Sequence, residues 1–215
     1  CGGEERVRIL EHSFDHYFSE FEKKVAFDIY VFCLSAHSPS DTDGLLSMWR
    51  GYGKGGNGAA IVFDTNTMED IEWSPLIISK VQYASRDQRE KWIKAKVSDF
   101  AKIIETANLR DDQLFLAAHA ILERLKLFAL FTKHSGFLEE REWRVVYLPD
   151  RDTNSALRPM LGYSIGKKGI EPKLKLKLGP IPGIIQENIY LDNIVSNIIL
   201  GPSLSNELAQ RSVKR

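Results

Sequence analysis

From Asp87 to Thr132 the chain runs without a single proline or glycine, and this stretch constrains the fold more than any other. Both residue types interrupt helices, proline by removing a backbone donor and glycine by its conformational freedom. Their absence predicts two helical stretches joined near Leu109, Arg110 and Asp111, a helical insert over about 86–132. On the first stretch Trp92, Val97, Phe100, Ile103, Ile104 and Ala107 recur at helical spacing and form one apolar stripe. The second, Leu114 to Phe131, is apolar nearly all round and is expected to be largely buried, with His119 as a satisfied core residue.

Shorter elements surround this insert. Val7, Leu10, Phe14, Phe18 and Phe21 mark an amphipathic helix over Glu4 to Lys24. DIYVFCLS, Asp28 to Ser35, is short, apolar and rich in β-branched and aromatic residues, as a buried strand should be. LLSMWRGY, Leu45 to Tyr52, reads as a short helix stopped at Gly53. The following GKGGNG is a turn: it lacks the lysine followed by Ser or Thr of a phosphate loop, and it precedes a strand rather than a helix. Ala59 to Asp64 and Leu76 to Tyr83 are further strands, expected to share a sheet with Asp28 to Ser35. Arg141 to Leu148, Lys173 to Leu178 and Asn193 to Leu200 complete the strands; KLKLKL points its leucines inward and its lysines outward.

The class is therefore α+β: a mixed or antiparallel β-sheet with flanking helices and a two-helix insert, in one domain over 1–215. Because the chain starts at Cys1 and a helix from Ser203 to Val213 has hardly begun before it stops, segments are expected to be missing at both ends.

Lys plus Arg and Asp plus Glu balance at 29 each, so no overall field draws the chain to nucleic acid or anionic lipid. No run approaches the roughly 20 apolar residues of a membrane span, which excludes an integral helical membrane protein. Two cysteines, Cys1 and Cys33, make neither a disulfide framework nor a zinc site and favour a reducing, cytoplasmic setting. His37, His119 and His134 have no ligand spacing, so no metal is expected.

The segment TKHSGFLEEREWRVVY carries the most chemistry. Strand alternation places Glu140, Glu142 and Arg144 on one face, with neighbours roughly 6.5 to 7 Å apart, and sends Glu139, Arg141 and Trp143 to the other. Two carboxylates on one face can stabilise a developing cation and hold a nucleophile, which is what breaking an N-glycosidic bond requires. The same letters also describe the charged face of an edge strand, kept for solubility. Trp49 and Tyr52 share a helical face, either as core or with Tyr52 stacking on a planar ligand ring. Arg50 points away from them, toward a phosphate, a carboxylate or solvent.

Taken in order, a strand ending in CLS, the SMWRGYG helix, a glycine turn into AAIVFD, a helical middle, KHSGFLEEREWRVV and NIVSNIILGP resemble bacterial members of the domain-of-unknown-function 2971 family over nearly all of the chain. That family is in turn similar to the ADP-ribosyltransferases, which bind NAD in a cleft of a split β-sheet. The resemblance implies an ADP-ribosyltransferase-like split sheet and NAD as substrate. It places Ser35 at the family's middle-strand position, Tyr52 as a ring against nicotinamide, Trp49, Arg50 and Arg144 in the cofactor site, and Glu142 with Glu140 as the catalytic pair. A Tyr-rich first strand and an Asn-Asp-Pro segment, typical of such relatives, are not found. The implied function is NAD-dependent transfer onto a protein or nucleic-acid acceptor, in a toxin or antiphage defence effector. The alternatives are a non-catalytic binding or regulatory module acting on a partner protein of a defence system, and a nuclease-like enzyme, the last weakened by the neutral charge.

Overall fold

The computed structural model of the protein describes residues 3–38, 40–66, 71, 74–167, 169–204 and 207–213. Its helical part follows the sequence periodicity closely. Helix α1, Glu4–Glu20, runs on through a π turn at Phe21–Val25. The short helix α2 spans Leu46–Gly51, and the insert consists of α3, Arg86–Thr106, and α4, Leu114–Leu130. Ser85 starts α3 with a reciprocal cap: its Oγ accepts from Gln88 N at 3.3 Å, and Gln88 Oε1 accepts from Ser85 N at 2.8 Å.

Ile104, Leu114 and Ala117 form the core between these helices, with Ile9 and Leu10 of α1 and Phe100 and Leu109 packed onto it. Trp92 stacks on Phe128 with ring centroids 4.1 Å apart, fixing α3 along α4. Arg6 Nη2 donates to the Leu109 carbonyl at 2.9 Å and ties α1 to the turn between the insert helices. The expectation that α4 is buried nearly all round is corrected. Its buried residues are Leu114, Ala117, Ala118, Leu122 and Lys126, one stripe at helical spacing, while Leu116 is 55% exposed. His119 is exposed as well, and meets Tyr17 edge-on at 5.1 Å. Apolar composition favours burial but does not supply neighbours, and α1 and α3 flank α4 without enclosing it.

The strands form several small sheets. β1, Tyr30–Ser35, and β3, Leu76–Lys80, lie antiparallel on either side of β6, Glu142–Tyr147. β2, Ala59–Phe63, pairs instead with β9, Val195–Leu200, so it does not share the sheet of β1 and β3. β4, Gln82–Ala84, runs parallel to β5, Thr132–His134. β7, Leu161–Gly166, and β8, Gly169–Leu174, form a hairpin. The chain thus belongs to the mixed α+β class, with helices and small, mostly antiparallel sheets.

Three of the differences in strand boundaries from the sequence reading have a physical reason. The Leu76 to Tyr83 strand is broken at Val81, which is buried and donates its N–H to the Glu142 carbonyl at 2.9 Å, so the chain crosses from one sheet to the next. Asn193 and Ile194 belong to a short helix, α5, Leu191–Ile194, before β9 begins. KLKLKL is strand only up to Leu174, yet its alternation persists, because Leu176 and Leu178 pack on the cluster of Ile185, Ile189 and Ile194. Helix α6, Glu207–Val213, ends the described chain, and none of the described helices is long and apolar enough to cross a membrane.

Candidate functional site

The central strand β6 organises the site. Side chains paired across antiparallel strands share a face. Glu142 pairs with Ser35, and Arg144 with Cys33 on β1 and Ser79 on β3, so these polar residues occupy one face of the sheet. The opposite face carries Phe32 with Val145 and Ile78, and Leu34 with Trp143.

Glu140 does not reach this face by strand alternation. It closes a 3-10 turn, Ser135–Glu140, and Arg141 then adopts a left-handed conformation with φ 45° before β6 starts. Few non-glycine residues adopt that conformation, and it redirects the chain between the two glutamates. They still converge, through a residue that the spacing did not single out. Lys133, on β5, places its Nζ 2.5 Å from Glu140 Oε2 and 2.9 Å from Glu142 Oε2. The ammonium also lies over the Phe137 ring, with Nζ 4.7 Å from its centroid.

The pairing of Glu142 with Arg144 occurs as the spacing implied, with Nε 2.7 Å from Oε1. Arg144 Nη1 also donates to the Leu130 carbonyl at the end of α4. The backbone N–H of Glu142 donates to Tyr83 Oη at 2.8 Å. Ser35 Oγ donates to the Glu140 carbonyl at 2.6 Å, and Ala36 N to the Arg141 carbonyl at 3.0 Å, which pins the turn to β1. Ser35, Glu140, Glu142 and Arg144 therefore form one cluster, completed by Lys133, Tyr83 and Cys33.

Glu142 is only 4% exposed. Burial alone would raise its pKa, but the bonds from Arg144, Cys33 and Lys133 outweigh burial and hold the carboxyl at about 2. Lys133 is shifted the other way: burial would lower it, and its bonds to Glu140 and Glu142 raise it above the ordinary lysine value. Burial and then the facing Glu142 carboxylate push the Cys33 thiol up to about 11. At neutral pH the thiol is therefore a donor rather than a nucleophile. Both carboxylate oxygens of Glu142 are engaged, whereas Oε1 of Glu140 accepts no hydrogen bond among the described residues.

The aromatic half of the expected site divides. Trp49 is buried, its Nε1 donates to the Asp43 carbonyl at 2.6 Å, and its ring lies against Gly44 and Gly53. Tyr52 is 68% exposed and Arg50 is exposed, and neither side chain makes a hydrogen bond or ion pair among the described residues. Helix α2 nevertheless lies beside the 135–140 turn, so Tyr52 and Arg50 sit on the element that flanks Glu140.

Gly53 is needed because of Trp49. A Cβ there would fall 2.7 Å from Trp49 Cε3 and 2.9 Å from the Trp49 carbonyl oxygen. Gly53→Ala is expected to cost about 2 kcal/mol through overpacking, measured by urea denaturation, with a changed tryptophan emission showing that the ring has moved.

Among the described residues no group of three or more His, Cys, Asp or Glu side chains is arranged to hold a metal ion. Residues 48–145 match the model of a family described as protein of unknown function, DUF2971. That segment begins within α2 and contains the insert, Lys133, Glu140, Glu142 and Arg144, while Ser35 lies outside it. No curated protein and no solved structure matches the chain.

Proposed function

We propose that this chain, whose residues 48–145 match the DUF2971 family model, is an ADP-ribosyltransferase-like enzyme using NAD. The observation that carries the reading is the convergence of Ser35, Glu140 and Glu142 at one corner of an antiparallel sheet, with Arg144 and Lys133 beside them. In such a transfer the bond between nicotinamide and ribose breaks with its electron pair leaving on nicotinamide. The oxocarbenium-like ribose is then captured by an acceptor oxygen or nitrogen, which loses its proton.

A fixed negative charge beside the ribose stabilises that cation. Glu142 remains ionised throughout the neutral range but is enclosed and doubly paired, so in this reading it sets the field and orients Lys133. Glu140, with one unengaged oxygen, meets the ribose or the acceptor. Tyr52 and Arg50 on the flanking helix are the groups free to hold the nicotinamide ring and a phosphate. That β2 pairs with β9 and not with the β1–β6–β3 sheet supports a split-sheet reading. A toxin or antiphage effector acting on a protein or nucleic acid suits this chemistry.

One observation favours a second reading. Glu142 is enclosed by two cations and several hydrogen bonds, as expected of a structural ion cluster inside a non-catalytic binding or regulatory module of a defence system. Nicotinamide release from NAD, measured alone and with protein, DNA or RNA acceptors, decides between them. Glu140→Gln is expected to lower release about 100-fold with the melting temperature kept. If NAD is neither bound nor consumed with any acceptor, the enzyme reading fails and the binding module stands.

A further inference from the structure

Helices α1 and α4 leave a groove of about 200 Å³ between them, lined by His12, Ser13, His16 and Tyr17 of α1 and by Phe115 of α4. It lies away from the glutamate corner. Arg144 of that corner reaches α4 at the Leu130 carbonyl, and Phe115 precedes Leu130 by about 22 Å along the helix axis.

Helical periodicity brings the two histidines together. Residues four apart stand one above the other on the same face of a helix. Ile9 and Leu10 turn toward the core shared with α4, while His12 and His16 are exposed beside that packing face and both border the groove. The Tyr17 ring meets His16 edge-on at 5.6 Å and, with Phe115, supplies the apolar part of the wall. Neither His12 nor His16 makes a hydrogen bond or ion pair among the described residues. The local charge favours a cation: from Ile9 to Glu20 the helix carries Glu11, Asp15 and Glu20 and no lysine or arginine. Glu20 is itself tied to Lys24, and among the described residues no third His, Cys, Asp or Glu side chain completes a ligand set. The groove therefore offers two imidazoles as ligands, with the Ser13 and Tyr17 hydroxyls on its wall to hold metal-bound water.

We propose that the α1–α4 groove holds one divalent transition ion, Zn²⁺, Ni²⁺ or Cu²⁺, between His12 and His16. Imidazole nitrogen suits these ions, whereas Mg²⁺ and Ca²⁺ take oxygen ligands. Two histidines at this spacing on one helical face can reach a single ion, and water fills its remaining positions. By bridging consecutive turns the ion clamps α1, so its binding stabilises the folded chain. This site does not depend on the NAD reading.

The test is competition between the full chain and a chromophoric chelator for Zn²⁺, Ni²⁺ and Cu²⁺, with Mg²⁺ alongside. One ion per chain is expected, bound most tightly as Cu²⁺. His12→Ala and His16→Ala should each weaken binding by about tenfold or more, because even the residues that orient a metal ligand are worth that much. Cys1→Ser and His37→Ala should keep the wild-type affinity. Thermal unfolding supplies a second readout: Zn²⁺ should raise the melting temperature of the wild type and leave that of His12→Ala and His16→Ala unchanged. Both positions are exposed, so the variants should fold, which their metal-free melting temperatures check. The inference is overturned if no ion binds one to one, if His12→Ala and His16→Ala bind like the wild type, if Cys1→Ser or His37→Ala abolishes binding instead, or if Mg²⁺ binds as tightly, which would mark a general acidic surface.

Discussion

Glu142→Gln is expected to remove about 3 to 5 kcal/mol of stability. The substitution keeps the side-chain volume but leaves Lys133 with only Glu140, and Arg144 with no carboxylate, in a region where Glu142 itself is 4% exposed. Breaking a buried pair from one side costs more than the pair contributes, because the remaining charge stays out of water without compensation. The same cluster fixes the acid limb of the stability curve. A carboxyl lowered from the ordinary 4.5 to about 2 on folding stabilises the folded state when ionised. That contribution, about 3 kcal/mol, is complete above the unfolded pKa and is lost as pH falls from about 5 toward 2. Urea denaturation at pH 7 and pH 3 measures both effects: wild type should weaken steeply on acidification, and Glu142→Gln should start lower and change less. A variant within 1 kcal/mol of wild type at pH 7, on the scale set for such pairs, contradicts the account of the cluster.

Asp152→Ala is expected to cost about 3 to 4 kcal/mol. Asp152 is buried just beyond β6 and accepts three hydrogen bonds: from Tyr147 Oη at 3.0 Å, Ala156 N at 2.8 Å and Leu157 N at 3.0 Å. Burial, together with the bond to this carboxylate, pushes the Tyr147 phenol up to about 12, so the hydroxyl remains a donor. Alanine would leave the Tyr147 hydroxyl and the Leu157 amide unpaired, in residues that are 2% and 0% exposed. Asp152→Asn can keep its carbonyl toward Tyr147 and Leu157 and lose mainly the Ala156 bond, so about 1 to 2 kcal/mol is expected. Chemical denaturation of both variants checks the order; equal losses would mean that the charge, and not the hydrogen-bond geometry, anchors the loop.

The helices were the most legible part of the chain. The run from Asp87 to Thr132 has no helix breaker, and Ser85 with Gln88 supplies its start, so local rules and tertiary contacts agree. Strand partners were much less legible. Ala59–Phe63 has the composition of a strand beside β1 but finds its partner in Val195–Leu200, far along the sequence, and short apolar runs do not name their neighbours. Within the site, the pairing of Glu142 with Arg144 was readable because both lie on one strand. Lys133 was not, because it enters from β5, across a turn whose left-handed Arg141 breaks the alternation on which the spacing argument relied. Trp49 illustrates the ambiguity of aromatic residues: the structure makes it part of the local core of α2, while Tyr52 beside it remains exposed.

The central claim is that the corner built from Ser35, Lys133, Glu140 and Glu142 receives NAD. Hydrogen–deuterium exchange of the full chain with and without millimolar NAD tests it most directly, because it reports where the ligand lies whether or not an acceptor is present. The account predicts slower exchange in β1, α2 and the 132–144 segment, lost in Glu140→Gln. Unchanged exchange in all three, or protection confined to other parts of the chain, would contradict it.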